Sequence, residues 1–131
     1  MTPYTQTTDG ITVSVKPQYL EDRSDPDRAL FAFSYKVTIE NQSAETIQLI
    51  NRHWQVFSNE IQIADVKGEG VVGEQPVLEP GVVYQYSSMS IIEDPAGHMQ
   101  GSFTFRSETG AFFDAVVPRF ELVHIEAGAL H

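Results

Sequence analysis

Phe31-Ala32-Phe33-Ser34-Tyr35-Lys36-Val37-Thr38-Ile39-Glu40 places an aromatic or branched side chain at every odd position and a small or polar one at every even position. Successive side chains of a strand leave opposite faces of the pleat, so this period of two describes a strand with one buried face. Upstream, Ile11, Val13, Val15, Pro17 and Tyr19 alternate in the same way with Thr12, Ser14, Lys16 and Gln18. Pro17 has no N–H to give a ladder, which puts that strand at an edge or an end. Within the connection between the two strands, the eight residues Glu21 to Arg28 offer no apolar side chain for burial and read as an exposed loop.

Downstream, Asn41 to Glu45 is turn chemistry, and Thr46 to Ser58 is a third strand with a change of parity inside it. Ile47 and Leu49 are odd, whereas Ile50, Trp54 and Val56 are even. The pattern predicts a β-bulge near Ile50 or burial of both faces. Ser58-Asn59-Glu60 turns the chain into a short strand, Ile61 to Val66. Lys67 to Gly81, with four Gly and two Pro, reads as a loop-rich crossing anchored by Val71-Val72 and Val77-Leu78. Val82 to Ile92, then Met99, Gly101, Phe103 and Phe105, then Ala111 to Ile125 with Pro118 inside it, complete the strands. Asp94-Pro95-Ala96-Gly97 and Ser107 to Gly110 supply the last turns.

No window keeps helical periodicity over three turns. Seven or eight strands with turn clusters between them predict an all-β, immunoglobulin-like antiparallel β-sandwich, with a closed barrel as the alternative. Trp54 in the third strand matches the core Trp of such sandwiches. The aromatics from Phe31 through Phe105, Phe112, Phe113 and Phe120 follow strand spacing and are expected in the core.

The 131 residues form one domain, with an ordered core expected over about residues 10–126 and loose ends over the first nine residues and Ala127 to His131. Eight Lys plus Arg stand against 18 Asp plus Glu, a net charge of −10. That balance opposes binding to a nucleic-acid backbone, which needs clustered cations. There is no Cys, which excludes disulfides, thiolate catalysis and thiolate metal sites. The start MTPYTQTTDG has no leader pattern and no stretch is long and apolar enough to span a bilayer, so a cytoplasmic location without membrane insertion is expected.

Gly68-Glu69-Gly70-Val71-Val72-Gly73 matches G-x-G-x-x-G, whose amides cradle a pyrophosphate when a strand precedes and a helix follows. Here Gln75-Pro76 and Glu79-Pro80-Gly81 follow, so the sequence favours a glycine-dependent turn. An anion-binding nest of Gly68, Gly70 and Gly73 amides, assisted by Lys67, is the alternative, with pyrophosphate or nucleotide as ligand. Arg52-His53-Trp54 puts Arg52 and Trp54 on one strand face and His53 on the other. Beside an acid on the solvent face, His53 is equipped to ligate a cation or move a proton; packed beside Trp54, it is a structural residue. Arg52 is a buried structural cation or a recognition residue. The four His show no metal-ligand spacing, leaving weak Mg²⁺ or Co²⁺ binding by carboxylates or His53 as the only metal reading. No nucleophile elbow occurs, so a non-enzymatic role is expected, with no catalytic residue and no resident cofactor.

Phe31 to Tyr35, Ile39 to Asn41, Gln48-Leu49, Arg52 to Trp54, Val66 to Pro76, Leu78 to Gly81, Tyr86 to Ser88, Gly97, Met99 to Ser102 and Pro118 to Phe120 together resemble the ApaG family in order and spacing. The resemblance covers about residues 10–125. It implies an immunoglobulin-like or fibronectin type III-like sandwich, and a small bacterial protein associated with cobalt and magnesium efflux or resistance. Related domains are joined to F-box ubiquitin-ligase adaptors and to a polymerase-interacting protein. That implies recognition of a protein partner, through a sheet face or the segment Lys67 to Gly81; exposed sheet edges, independently, make a homo-oligomer an alternative. Two segments depart from the family pattern: Phe57-Ser58-Asn59-Glu60 replaces an Asp-Gly type turn, and Met89-Ser90-Ile91-Ile92 stands where Gly and Pro often occur.

Overall fold

The structure, a computed structural model, describes residues 3–124. Nine strands follow one another: β1 (Tyr4–Thr8), β2 (Ile11–Tyr19), β3 (Phe31–Asn41), β4 (Ile47–Ser58), β5 (Ile61–Glu69), β6 (Val77–Leu78), β7 (Val83–Ile92), β8 (Ala96–Ser107) and β9 (Phe112–Val123). One sheet runs β1-β2-β3-β7 and the other β5-β4-β8-β9, with the two-residue β6 beside β4; every pairing is antiparallel. The chain crosses between sheets after β3, β6 and β7. This is the expected antiparallel sandwich. Glu21–Arg23 and Pro26–Arg28 are single 3₁₀ turns with no buried residue, in the segment expected to be a loop.

The odd residues of β3 face inward: Phe33, Val37 and Ile39 are 1 % exposed or less. They meet Phe103, Phe105 and Phe120 of the second sheet, with Trp54 at the centre. The Trp54 indole is edge-on to Phe103 and Phe120 and tilted against Tyr35, at centroid separations of 5.8, 6.0 and 5.3 Å. Offset and edge-to-face contacts of this kind match ring quadrupoles as well as volume.

Four particulars differ from the sequence reading. Within the end expected to be loose, residues 4–8 form β1, paired from Tyr4 opposite Val15 to Thr8 opposite Ile11, while residues 1 and 2 lie outside the described residues. Asp9 and Gly10 both have positive φ, the two-residue turn that matches strand twist. β1 is polar and lacks hydrophobic alternation, so only its Asp-Gly turn announced it. β5 extends beyond Val66 to Glu69, into the glycine motif. Pro118 does not end β9. It sits where Met99 opposes Phe120 and Gly101 opposes Val117, a bulge on an edge strand that asks nothing of its missing N–H. Phe112, expected in the core, is 63 % exposed because Phe113 takes the inward place, stacked on Phe105. Ile125 and the tail expected to be loose, Ala127 to His131, lie outside the described residues.

Candidate functional site

The parity break in β4 is a bulge at Ile50: Leu49 pairs with Phe105 and Asn51 with Thr104, leaving Ile50 unopposed. At that point the other neighbour of β4 changes from β6 to β5. The Ile50 carbonyl, released from a regular ladder, accepts the Gly70 N–H at 2.8 Å and the Gln75 side-chain amide at 3.0 Å. Val71 and Glu74 exchange both backbone hydrogen bonds, and Gln48 Nε2 donates to the Gln75 carbonyl. Val71 is fully buried and anchors the turn, whereas Val72 at its tip is 67 % exposed.

The glycines have separate tasks. Gly70 has φ of +63°, and a Cβ there would run into the Glu74 carbonyl. Gly68 is a strand residue opposite Arg52, and the space a Cβ would fill holds the Arg52 guanidinium. The tight turn is therefore glycine-dependent, the Gly70 amide is committed to Ile50, and Lys67 lies opposite His53 on β4. Arg52 Nη1 donates to the Glu69 and Gly70 carbonyls at 2.9 and 3.0 Å. Its partners are main-chain oxygens, and among the described residues it makes no ion pair.

His53 faces away from Trp54. Its Nε2 lies 2.6 Å from an Asp65 oxygen, with Ser102 opposite on β8. Beyond that pair the outer face is polar: Thr104 donates to Asp114 at 2.6 Å and Gln100 to Gln55 at 3.1 Å. His53 therefore stands beside an acid on a half-exposed face. Among the described residues no three His, Asp or Glu side chains converge as a cation site.

On the other face of β4, Arg52 and Trp54 line a cleft of about 410 Å³ between β5 and β7. Val56, Ala64, Val66, Met89 and Met99 supply apolar walls; Tyr35, Tyr86 and Ser88 supply hydroxyls. The Tyr86 hydroxyl oxygen is out of reach of solvent and its proton finds no acceptor among the described residues, the Trp54 indole N–H beside it being a donor. Burial pushes its phenol well above the ordinary tyrosine range, Tyr35 adds to the rise, and Arg52 offsets part of it. Burial likewise raises Tyr35, with Ser88 and Arg52 opposing. Among the described residues Arg52 is the one charged side chain lining the cleft. Sequence reasoning missed Tyr86 and Ser88 as site residues, because a tyrosine in an alternating strand looks like any other core aromatic.

The two sheets leave four edges, β1 and β7 in one and β5 and β9 in the other. β1 is five residues long. β9 carries its proline bulge and Arg119 paired with Glu121. β5 carries a bulge at Ile63, together with Asp65, Lys67 and Gly68. These are the usual protections against edge pairing. β7 has none of them: ten residues, Val-Tyr-Gln-Tyr-Ser-Ser-Met-Ser-Ile-Ile, regularly paired to β3, without charge, proline or bulge. Val83, Met89 and Ile91 along it are 51, 40 and 49 % exposed.

The ApaG domain model matches residues 21–107. The chain belongs to the ApaG family. It is 44 % identical to Protein ApaG of Mesorhizobium japonicum over 91 % of this chain and 92 % of that one. It is 43 % identical to Protein ApaG of Acidithiobacillus ferrooxidans over 86 % and 88 %. A crystal structure of a Bordetella pertussis protein described as ApaA superposes with a TM-score of 0.84 at 37 % identity, covering 86 % of this chain and 92 % of that one. The ApaG span runs from β3 to β8, so the Ile50 bulge, the glycine turn, Arg52 and the cleft all fall inside it. All of β1, β2 and β9, which close the opposite side of this ApaG sandwich, falls outside. No helix among the described residues is long and apolar enough to cross a membrane.

Proposed function

We propose that this ApaG domain acts by binding rather than by bond-breaking, and that it adds an extended segment of a basic partner protein to the free edge of β7. The observation that carries this reading is the lack of any protecting device on β7, when each of the other three edges has one. An unprotected edge offers a row of main-chain donors and acceptors for strand addition, and exposed Val83, Met89 and Ile91 give side-chain purchase beside it. The net charge of −10 selects the occupant. Two copies repel one another, whereas a cationic chain is attracted over several ångströms before contact. The effect on cobalt and magnesium tolerance associated with the family then runs through the partner.

Photocrosslinking tests this. A benzoylphenylalanine at Ile91 is expected to trap a basic protein in cells, and a probe at Lys16 on β2 is not. Ile91→Lys, at a half-exposed position, should keep the fold and lose both the crosslink and the rescue of a cobalt-sensitive deletion strain. Raised salt should weaken a charge-steered complex and strengthen a self-dimer of like-charged copies. A salt-strengthened dimer, equal crosslinking from both positions, or full rescue by Ile91→Lys would overturn the reading.

A further inference from the structure

The cleft between β5 and β7 makes no contribution to strand addition at β7, yet its lining has a definite chemistry. Its walls are apolar, with Trp54 at the inner end and Val56, Val66 and Met99 around it. Its volume, about 410 Å³, falls in the range of pockets that enclose small organic molecules. Two polar features face this apolar space. Arg52 is held in place by the Glu69 and Gly70 carbonyls through Nη1, which leaves Nη2 and Nε uncommitted. Tyr86 has a buried hydroxyl with no acceptor.

A buried hydroxyl without a partner is costly, and native structures keep few of them. No carboxylate lines the cleft to neutralise Arg52, although the chain has 18 acids. The unmet needs are thus an acceptor for a phenol and an anion for a guanidinium, at one end of an apolar space. We infer that the cleft binds a small monocarboxylate with an aliphatic or aromatic body, its carboxylate taken by Arg52 and, as the lining shifts to admit it, by the Tyr86 hydroxyl, and its body packed against Trp54, Val66 and Met99. The planar guanidinium fork suits a carboxylate, and its prior anchoring to two carbonyls lowers the ordering cost of binding. A cationic ligand would face Arg52 without a compensating acid, and a neutral alcohol would leave the guanidinium unmatched.

The test titrates the full chain with 3-phenylpropionate, 3-phenylpropanol and 3-phenylpropylamine, read by amide and indole resonances. The acid is expected to shift the Trp54 indole N–H and the Val66 and Ser88 amides saturably, with the alcohol weaker by about tenfold or more and the amine silent. Tyr86→Phe is the decisive variant, since its hydroxyl proton has no acceptor in the free protein. It should keep the wild-type fold while binding the acid about tenfold more weakly. Ile91→Lys should bind the acid as the wild type does, which separates this site from the β7 edge. Equal shifts by all three probes, no shift at millimolar acid, or undiminished binding by Tyr86→Phe would each overturn the inference.

Discussion

Along one side of the sandwich β9 packs against β1 and β2 and the two sheets are sewn together; along the other, β5 and β7 stand apart around a cleft. On the closed side the Tyr4 ring lies 6.3 Å from that of Phe120, and the Val116 N–H donates across the sheets to the Thr8 hydroxyl at 3.2 Å. Its edges are short, bulged or charged. On the open side the inward residues are smaller or polar, the Tyr86 hydroxyl has no acceptor among the described residues, and β7 presents neither charge nor proline. The contrast separates two demands on one fold. Burial concentrated at β8, β9 and β3 supplies stability, and this leaves the opposite seam able to stay open, because a gap between two edges costs little when the core is complete elsewhere.

Substitutions that probe the two seams should differ accordingly. The largest effect belongs to the closed side: Phe120→Ala, which removes a fully buried ring touching Tyr35 and Trp54, should cost about 3–5 kcal/mol in urea unfolding. Val66→Ala on the open side, where Val66 is 41 % exposed, should cost under about 1 kcal/mol. Equal losses would erase the distinction.

A smaller effect comes from acid. His98, stacked on Phe57 at 4.3 Å, is 6 % exposed. Burial holds its imidazole below the ordinary value of 6.5, Arg119 pushes the same way, and Glu121 and Glu60 oppose. The unfolded chain therefore takes up this proton more readily than the folded one. His98 contributes stability that is fully present above pH 6.5 and is lost as pH falls below it towards the folded value. Urea unfolding of wild type and His98→Gln at pH 7.5 and 5.5 checks this, the variant being expected to lose less stability between the two; an identical loss would refute it.

The smallest effect concerns the polar outer face, away from both seams. With His53 and Asp65 as its two donors, millimolar Co²⁺ should raise the melting temperature by about 2 °C or less, and His53→Ala should abolish the rise. A rise of many degrees would mean a tighter site than this pair can make.

Much of this was legible in the residues. Alternation about Phe31 to Glu40 needs only the geometry of a pleat, and the parity change at Ile50 locates a bulge because a one-residue shift moves every side chain to the other face. The faces of Arg52 and His53 follow from the same rule. β1 escaped notice because its polar side chains carry no hydrophobic signal, although Asp9-Gly10 spelled its turn.

The sequence by itself determined a cysteine-free, acidic, antiparallel all-β chain and a glycine-dependent turn, because these rest on composition, on periodicity and on backbone conformations open to few residue types. Only the tertiary structure decided that the Gly70 amide is used by Ile50, that Arg52 grips two carbonyls near a Tyr86 hydroxyl without an acceptor, and that β7 is a bare edge. Those facts depend on which strands become neighbours and which do not, and a strand's own residues carry the pattern of its faces but not the identity of what lies beside it.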